Sequence, residues 1–126
     1  MGERREIRSY RDLEVWERGI GLAEAVYRVT KSFPAEERFG MASQMQRAAV
    51  SVPSNIAEGW GRGPQADFLR FLAIVRGSLY ELTTQVIIAR RVGLVAEDEA
   101  SVVMDQADTL SRKLLAYIRS LKARSS

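Results

Sequence analysis

The sequence predicts an all-α protein, an antiparallel up-down-up-down four-helix bundle with its second helix kinked at Pro53. Three observations predict it. Apolar residues recur at alternating steps of three and four along four successive segments, the pattern of helices that bury one face. Proline and glycine punctuate those segments at Phe33-Pro34, at "GWGRGP" (59–64) and at Gly93. No stretch of useful length alternates apolar and polar residues as a half-buried strand would. Connections of a few residues make consecutive helices antiparallel neighbours.

The first helix is expected to start at Ser9 and Asp12, whose Ser-x-x-Asp spacing suits a capping box. Leu13, Trp16, Ile20, Ala23, Tyr27 and Thr30 then form its seam, and Phe33-Pro34 stops it, because the residue before a proline avoids helical dihedrals. A second apolar row, Val15, Leu22, Val26, Val29 and Phe33, widens the face beyond what an internal seam needs, so the helix is either deeply buried or also meets a neighbouring subunit.

The second helix is expected from about "PAEERFG", with Glu36 and Glu37 at the positive end of its dipole. Ala42, Met45, Ala49, Val52 and Ile56 keep phase through Pro53. That favours one bent helix, in which the proline removes a hydrogen bond at a cost of about 3 kcal/mol. The alternative places Pro53 at the first turn of a new helix. Pro64 opens the third helix, with seam Phe68, Leu72, Val75, Leu79, Leu82, Val86 and Ala89. After Gly93 the fourth helix carries Val103, Ala107, Leu110, Leu114, Tyr117 and Leu121. The 126 residues form a single domain, with flexible ends expected at 1–8 and 122–126.

Composition narrows the chemistry. There is no cysteine and no histidine, which excludes disulfides, thiol nucleophiles, hydrolytic triads and His- or Cys-based metal sites. Carboxylate-only metal sites need a pairing that Glu24, Glu58 and Glu81 do not show, and "GWGRGP" lacks the Lys-Ser/Thr of a phosphate loop. The expectation is therefore no enzyme activity, no cofactor and no metal. No apolar leader opens the chain and no run of about 18 purely apolar residues crosses it, so a cytoplasmic protein with no membrane partner is expected.

The net charge of +3 hides an uneven distribution. Residues 97–108 carry five acids and no base, and residues 112–124 five bases and no acid. Residues 38–91 hold seven arginines against Glu58, Asp67 and Glu81. Arginine suits bidentate contact with phosphate, although an arginine-rich solvated surface has the same composition.

On the second helix Gln44, Arg47, Ser51, Asn55, Glu58 and Arg62 are separated by three or four residues and line one face. Three roles fit this stripe: a solvated face, a hydrogen-bonded network at a helix or subunit interface in which Arg47 meets Glu58 or Glu81, or a ligand surface. The small residues Ala48, Ala49, Ser51, Ser54 and Ala57 let another backbone approach.

The segment "QMQRAAVSVPSNIAEGWGR" (44–62) resembles the hallmark of the small four-helix-bundle proteins encoded by intervening sequences of bacterial 23S rRNA genes. "LEVWERGIGLAEAVYRVTKSFPAEERFG" (13–40) and "FLRFLAIVRGSLYELTTQVIIARRVGL" (68–94) carry the resemblance across roughly residues 9–121. The resemblance implies a ring-like homopentamer, and a similar fold serves as the nucleic-acid- and reverse-transcriptase-binding accessory protein of diversity-generating retroelements. Carried over by position, the motif falls on Gln44, Arg47, Ser51, Asn55, Glu58, Gly59, Arg62, Gly77, Ser78 and Glu81, none of them catalytic. Thr83 departs from the charged residue expected after Glu-Leu, which weakens any interface ion pair there.

Together these imply a non-enzymatic homo-oligomeric scaffold, pentameric by resemblance, whose basic surface binds structured RNA or a nucleoprotein. Its partners would be further copies of itself and rRNA, another nucleic acid or a nucleic-acid-processing protein. Arg62, Arg70, Arg76, Arg90 and Arg91 are the candidate phosphate contacts, and Trp60, if exposed, a base-stacking residue, though a tryptophan beside a bundle turn is more often core. The alternative is a protein-interaction adaptor with no nucleic-acid role.

Overall fold

The computed structural model describes residues 6–124. Its four helices are α1 (Glu14–Thr30), α2 (Met41–Gly61), α3 (Gln65–Arg91) and α4 (Glu97–Arg124), with single 3-10 turns at Tyr10–Asp12 and Ala35–Glu37. Each helix packs on the next in sequence and α4 closes back on α1, with no diagonal helix pair in contact among the described residues. Cross-helix contacts show that α3 and α4 are antiparallel. Near the start of α3, Gln65 donates to the Leu121 carbonyl at the end of α4, whereas Arg90 at the other end of α3 pairs with Glu97 at the start of α4. Of the expected flexible ends 1–8 and 122–126, residues 1–5 and 125–126 lie outside the described residues, Arg8 bonds to Glu6 and Asp12, and Lys122–Arg124 form the last turn of α4.

Local chemistry sets the element boundaries. The Ser9/Asp12 box is present, but it caps the 3-10 turn, and α1 begins only at Glu14. The α2 helix starts at Met41, later than expected, because "PAEERFG" is taken up by a 3-10 turn and the residues after it. Glu37 still serves the helix start, accepting a hydrogen bond from the Met41 N–H at 3.3 Å. The α2 helix then runs unbroken through a buried Pro53. At the end of α3, Gly93 has φ +84°, its N–H donates to the Arg90 carbonyl, and the Leu94 N–H reaches back to Ala89 at 2.8 Å, a Schellman closure.

The seams expected for α2 and α3 are buried in full. In α4 Ile118 takes the core position expected for Tyr117, which is half-buried. In α1 only the two ends of the expected seam, Leu13 and Thr30, are buried. The second row, Val15, Leu22, Val26, Val29 and Phe33, is the core, joined by Gly19, while Trp16, Ile20 and Ala23 are half-buried and Tyr27 is exposed. Gly19 explains the choice. A Cβ there would stand 3.2–3.3 Å from Val52 and Pro53, so α1 approaches α2 most closely along the row that contains Gly19. Trp16 instead packs edge-on against Tyr10, ring centroids 5.5 Å apart.

The α3 helix has apolar residues on both sides. Its inner seam faces the bundle, while Ile74, Ile88 and Val92 are exposed on its outer surface at 51%, 43% and 65%. The double loading makes α3 long and apolar enough to cross a membrane by length and composition alone, with a mean hydropathy of 1.2 over 18 residues. Its packing against α2 and α4 is that of a bundle helix.

Candidate functional site

The polar stripe of α2 divides into two parts. Ser51 and Asn55 are half-buried against α3: the Ser51 hydroxyl bonds to the Ser78 hydroxyl and to the Ala48 carbonyl (2.9 Å), and the Asn55 amide donates to the Ser51 carbonyl at 2.8 Å. Of these bonds only Ser51 to Ser78 crosses from α2 to α3; the other two lie within α2. Gln44, Arg47, Glu58 and Arg62 are exposed. Glu58 pairs with Arg62 at 3.1 Å one turn away, and the Arg62 guanidinium lies 5.2 Å from the centre of the Phe71 ring. Within the chain Arg47 does not pair with Glu58 or Glu81, and among the described residues it has no hydrogen-bonded or ionic side-chain partner.

Glu81 is exposed and accepts from the Gln85 side-chain N–H₂ at 3.5 Å. Gln85 is 5% exposed, and its amide oxygen Oε1 has no hydrogen-bond partner. Sequence reasoning passes over Gln85. Its signal is a polar residue one position before the seam residue Val86.

The candidate phosphate contacts do not form one patch. Arg62, Arg70 and Arg90 are each paired with a neighbouring carboxylate, Arg70 with Asp67 at 2.7 Å and Arg90 with Glu97 at 3.1 Å. Such exposed pairs are weak, contributing about 0–1 kcal/mol, and they release their arginines readily. Arg70 and Arg76 are six residues apart, which turns them about 240° around the helix. Arg76 lies on the α4 side, where it shares a cleft with Tyr80, Ser111, Arg112 and Leu115. Its guanidinium donates to the Tyr80 hydroxyl at 3.4 Å and that of Arg112 to Thr109 at 3.3 Å. Neither has a carboxylate within ion-pair distance among the described residues. Arg91 is exposed at the end of α3. Arg112 falls outside the expected contacts, because the helical phase of α4 relative to α3 is needed to find it.

Trp60 is half-buried and packs on the edge of the core, closer to the structural role than to a freely exposed ring. On the α1/α4 flank of the bundle, the Glu14 carboxylate accepts from Arg18 (2.9 Å) and Lys113 (3.1 Å), which hold it below the usual carboxylate range. Among the described residues no three carboxylates are grouped to hold a metal ion.

A solved structure of similar fold supports the architecture: a protein of unknown function from the S23 ribosomal protein family of Bacteroides thetaiotaomicron. It superimposes with a TM-score of 0.74 at 19% identity, over 82% of this chain and 97% of that one. No curated protein matches the chain significantly. The family model described as 23S rRNA-intervening sequence protein matches residues 11–116, almost all of the four helices, and the chain belongs to that family.

Proposed function

We propose that the protein is a non-enzymatic, self-associating cytoplasmic scaffold that holds the backbone of a structured RNA through arginine. The observation that carries it is the second seam of α3. Ile74, Gly77, Glu81, Thr84 and Ile88 follow one another at steps of three and four on the outward face, as a helix does when it meets another helix. Gly77 leaves open space in the middle of that seam. The exposed, unpaired Arg47 on α2 is a polar group for which a second copy would supply a partner. Closed cyclic symmetry, a pentamer by resemblance, would repeat each arginine cluster around an axis and turn weak phosphate contacts into multivalent ones.

Arg76 and Arg112 are the arginines best placed for phosphate, since no carboxylate competes for them among the described residues. Mass in solution tests the assembly: the native chain is expected as a multimer at micromolar concentration, and Ile88→Arg as a folded monomer. A native monomer would end the proposal. Affinity for a structured RNA is expected to fall steeply with salt, with a shallower salt slope in Arg76→Ala/Arg112→Ala.

A second role has its own observation. Phe39, in the connection before α2, is 88% exposed, with the Arg38 guanidinium 5.6 Å from the centre of its ring. An aromatic ring so placed suits a protein-interaction adaptor. Retention of a protein but no RNA from nuclease-treated and untreated extracts alike, lost in Phe39→Ala, would favour that role.

A further inference from the structure

We infer that the end of the bundle beside the glycine turn holds a nucleobase of single-stranded RNA, stacked in the cleft between Trp60 and Tyr117. The inference rests on the nucleic-acid role proposed above and adds a second, different kind of contact to it.

Three helices bring aromatic rings to this cleft: Trp60 from the end of α2, Phe68 from the start of α3 and Tyr117 from α4. Phe68 is buried and meets Tyr117 edge-on, ring centroids 6.0 Å apart at 71°, which fixes the tyrosine ring. Trp60 and Tyr117 are half-buried, so each keeps surface open to the cleft.

Gly61 and Gly63 form the mouth without side chains, and a Cβ on either would meet nothing within 4 Å. Gly63 adopts φ +98°, so a residue with a side chain is disfavoured there and the mouth stays open. Gln65 is anchored on the wall, its amide N–H₂ donating to the Leu121 carbonyl at 3.0 Å, and its amide oxygen retains acceptor capacity for a base edge.

Charge selects the ligand. Arg124 lines the cleft and, among the described residues, no carboxylate does. Burial pushes the Tyr117 hydroxyl up, and the positive charge of Arg124 acts against that push. Of the acids at this end, Glu58 and Asp67 are paired with Arg62 and Arg70, and Asp12, Glu14 and Glu17 line an adjoining groove that shares Ile7, Tyr117 and Arg124 with the cleft. A strand whose base enters between Trp60 and Tyr117 would therefore pass its phosphates over the glycine turn, towards Arg62, and away from the acids of that groove. Stacking faces, an acceptor and a flanking guanidinium form the recognition set for an unpaired base, and stacking tolerates any sequence.

The test uses the full chain carrying Trp16→Phe, so that Trp60 is the only tryptophan. An oligoadenylate strand is expected to quench Trp60 fluorescence, and a blunt RNA duplex is not. Gly61→Leu, which narrows the mouth without touching the core, is expected to weaken oligoadenylate binding about tenfold, the loss of one stacked base, and Trp60→Leu at least as much. Circular dichroism checks that both fold. Equal binding of strand and duplex with silent fluorescence, or full affinity in folded Gly61→Leu, would overturn the inference. If structured RNA still binds with a steep salt slope in that case, the scaffold role stands and only the stacking site falls. If no RNA binds at any salt, both fall.

Discussion

The α2/α3 and α1/α4 contacts are built in opposite ways. Between α2 and α3, small residues remove bulk. Ala48 and Gly59 are buried, Ser51 meets Ser78, and Gly59 sits under Phe68 and Phe71. Between α1 and α4 the surface stays open and charged. Gly21 lines a cleft with Arg18, Glu24, Arg28 and Asp105, and Glu14 bridges to Lys113. A glycine thus means close approach on one side and spare room on the other.

The sharpest way to break this contrast is Gly59→Ala. The new Cβ would collide with Phe71 Cβ and come within 2.9 Å of its Cγ. A loss of about 1–3 kcal/mol is expected from denaturant midpoints. A neutral result would show that α3 can shift away at no cost, and the close α2/α3 approach would lose its meaning.

Ser78→Ala removes the cross-helix hydroxyl while Ser51 keeps its Ala48 partner. About 1 kcal/mol of lost stability is expected in the same measurement. Gly21→Ala should have the opposite sign. With nothing within 4 Å of the new methyl group, the helix interior gains about 0.5–1 kcal/mol. A loss there would mean that the α1/α4 cleft is closer-packed than its open lining implies.

The smallest effect belongs to Glu14. Its carboxyl is held low by the Arg18 hydrogen bond first and by Lys113 second. A carboxylate depressed on folding stabilises the protein above the ordinary carboxylate range, and the contribution disappears as pH falls through the depressed value. The pair is well exposed, so solvent screening keeps this contribution below about 1 kcal/mol. Glu14→Gln is expected to flatten the acid side of the stability–pH curve slightly, with only a small drop in the neutral plateau.

The seams of α2 and α3 are legible in the sequence because each has a strong apolar row in phase with the core. The α1 helix carries two rows of equal periodicity, and periodicity alone does not choose between them. The deciding residue is Gly19, whose significance appears only when Val52 and Pro53 stand against it. Tyr117 and Ile118 differ by one position, and the aromatic residue takes the boundary, where its hydroxyl can reach water.

The arginines are legible as a composition but not as a surface. Counting charge along residues 38–91 ignores phase, and phase separates Arg70 from Arg76 and brings Arg76 to Arg112. Ser51 and Asn55 are legible as part of a polar row at helical spacing beside alanines, whereas Ser78 is reached only through the family resemblance. Gln85 and the Trp60–Tyr117 cleft need neighbouring helices in place before they can be seen.

Among the helix pairs in contact, α1 with α4 joins the segments most distant in the chain; the others are hairpins between neighbours. Closing that pair demands the largest loss of chain entropy, whereas α2 and α3 can zip together across a three-residue turn. The earliest structure on the way to the native state is therefore expected in the α2–α3 hairpin, and mutations there should slow folding while those in the α1/α4 flank speed unfolding.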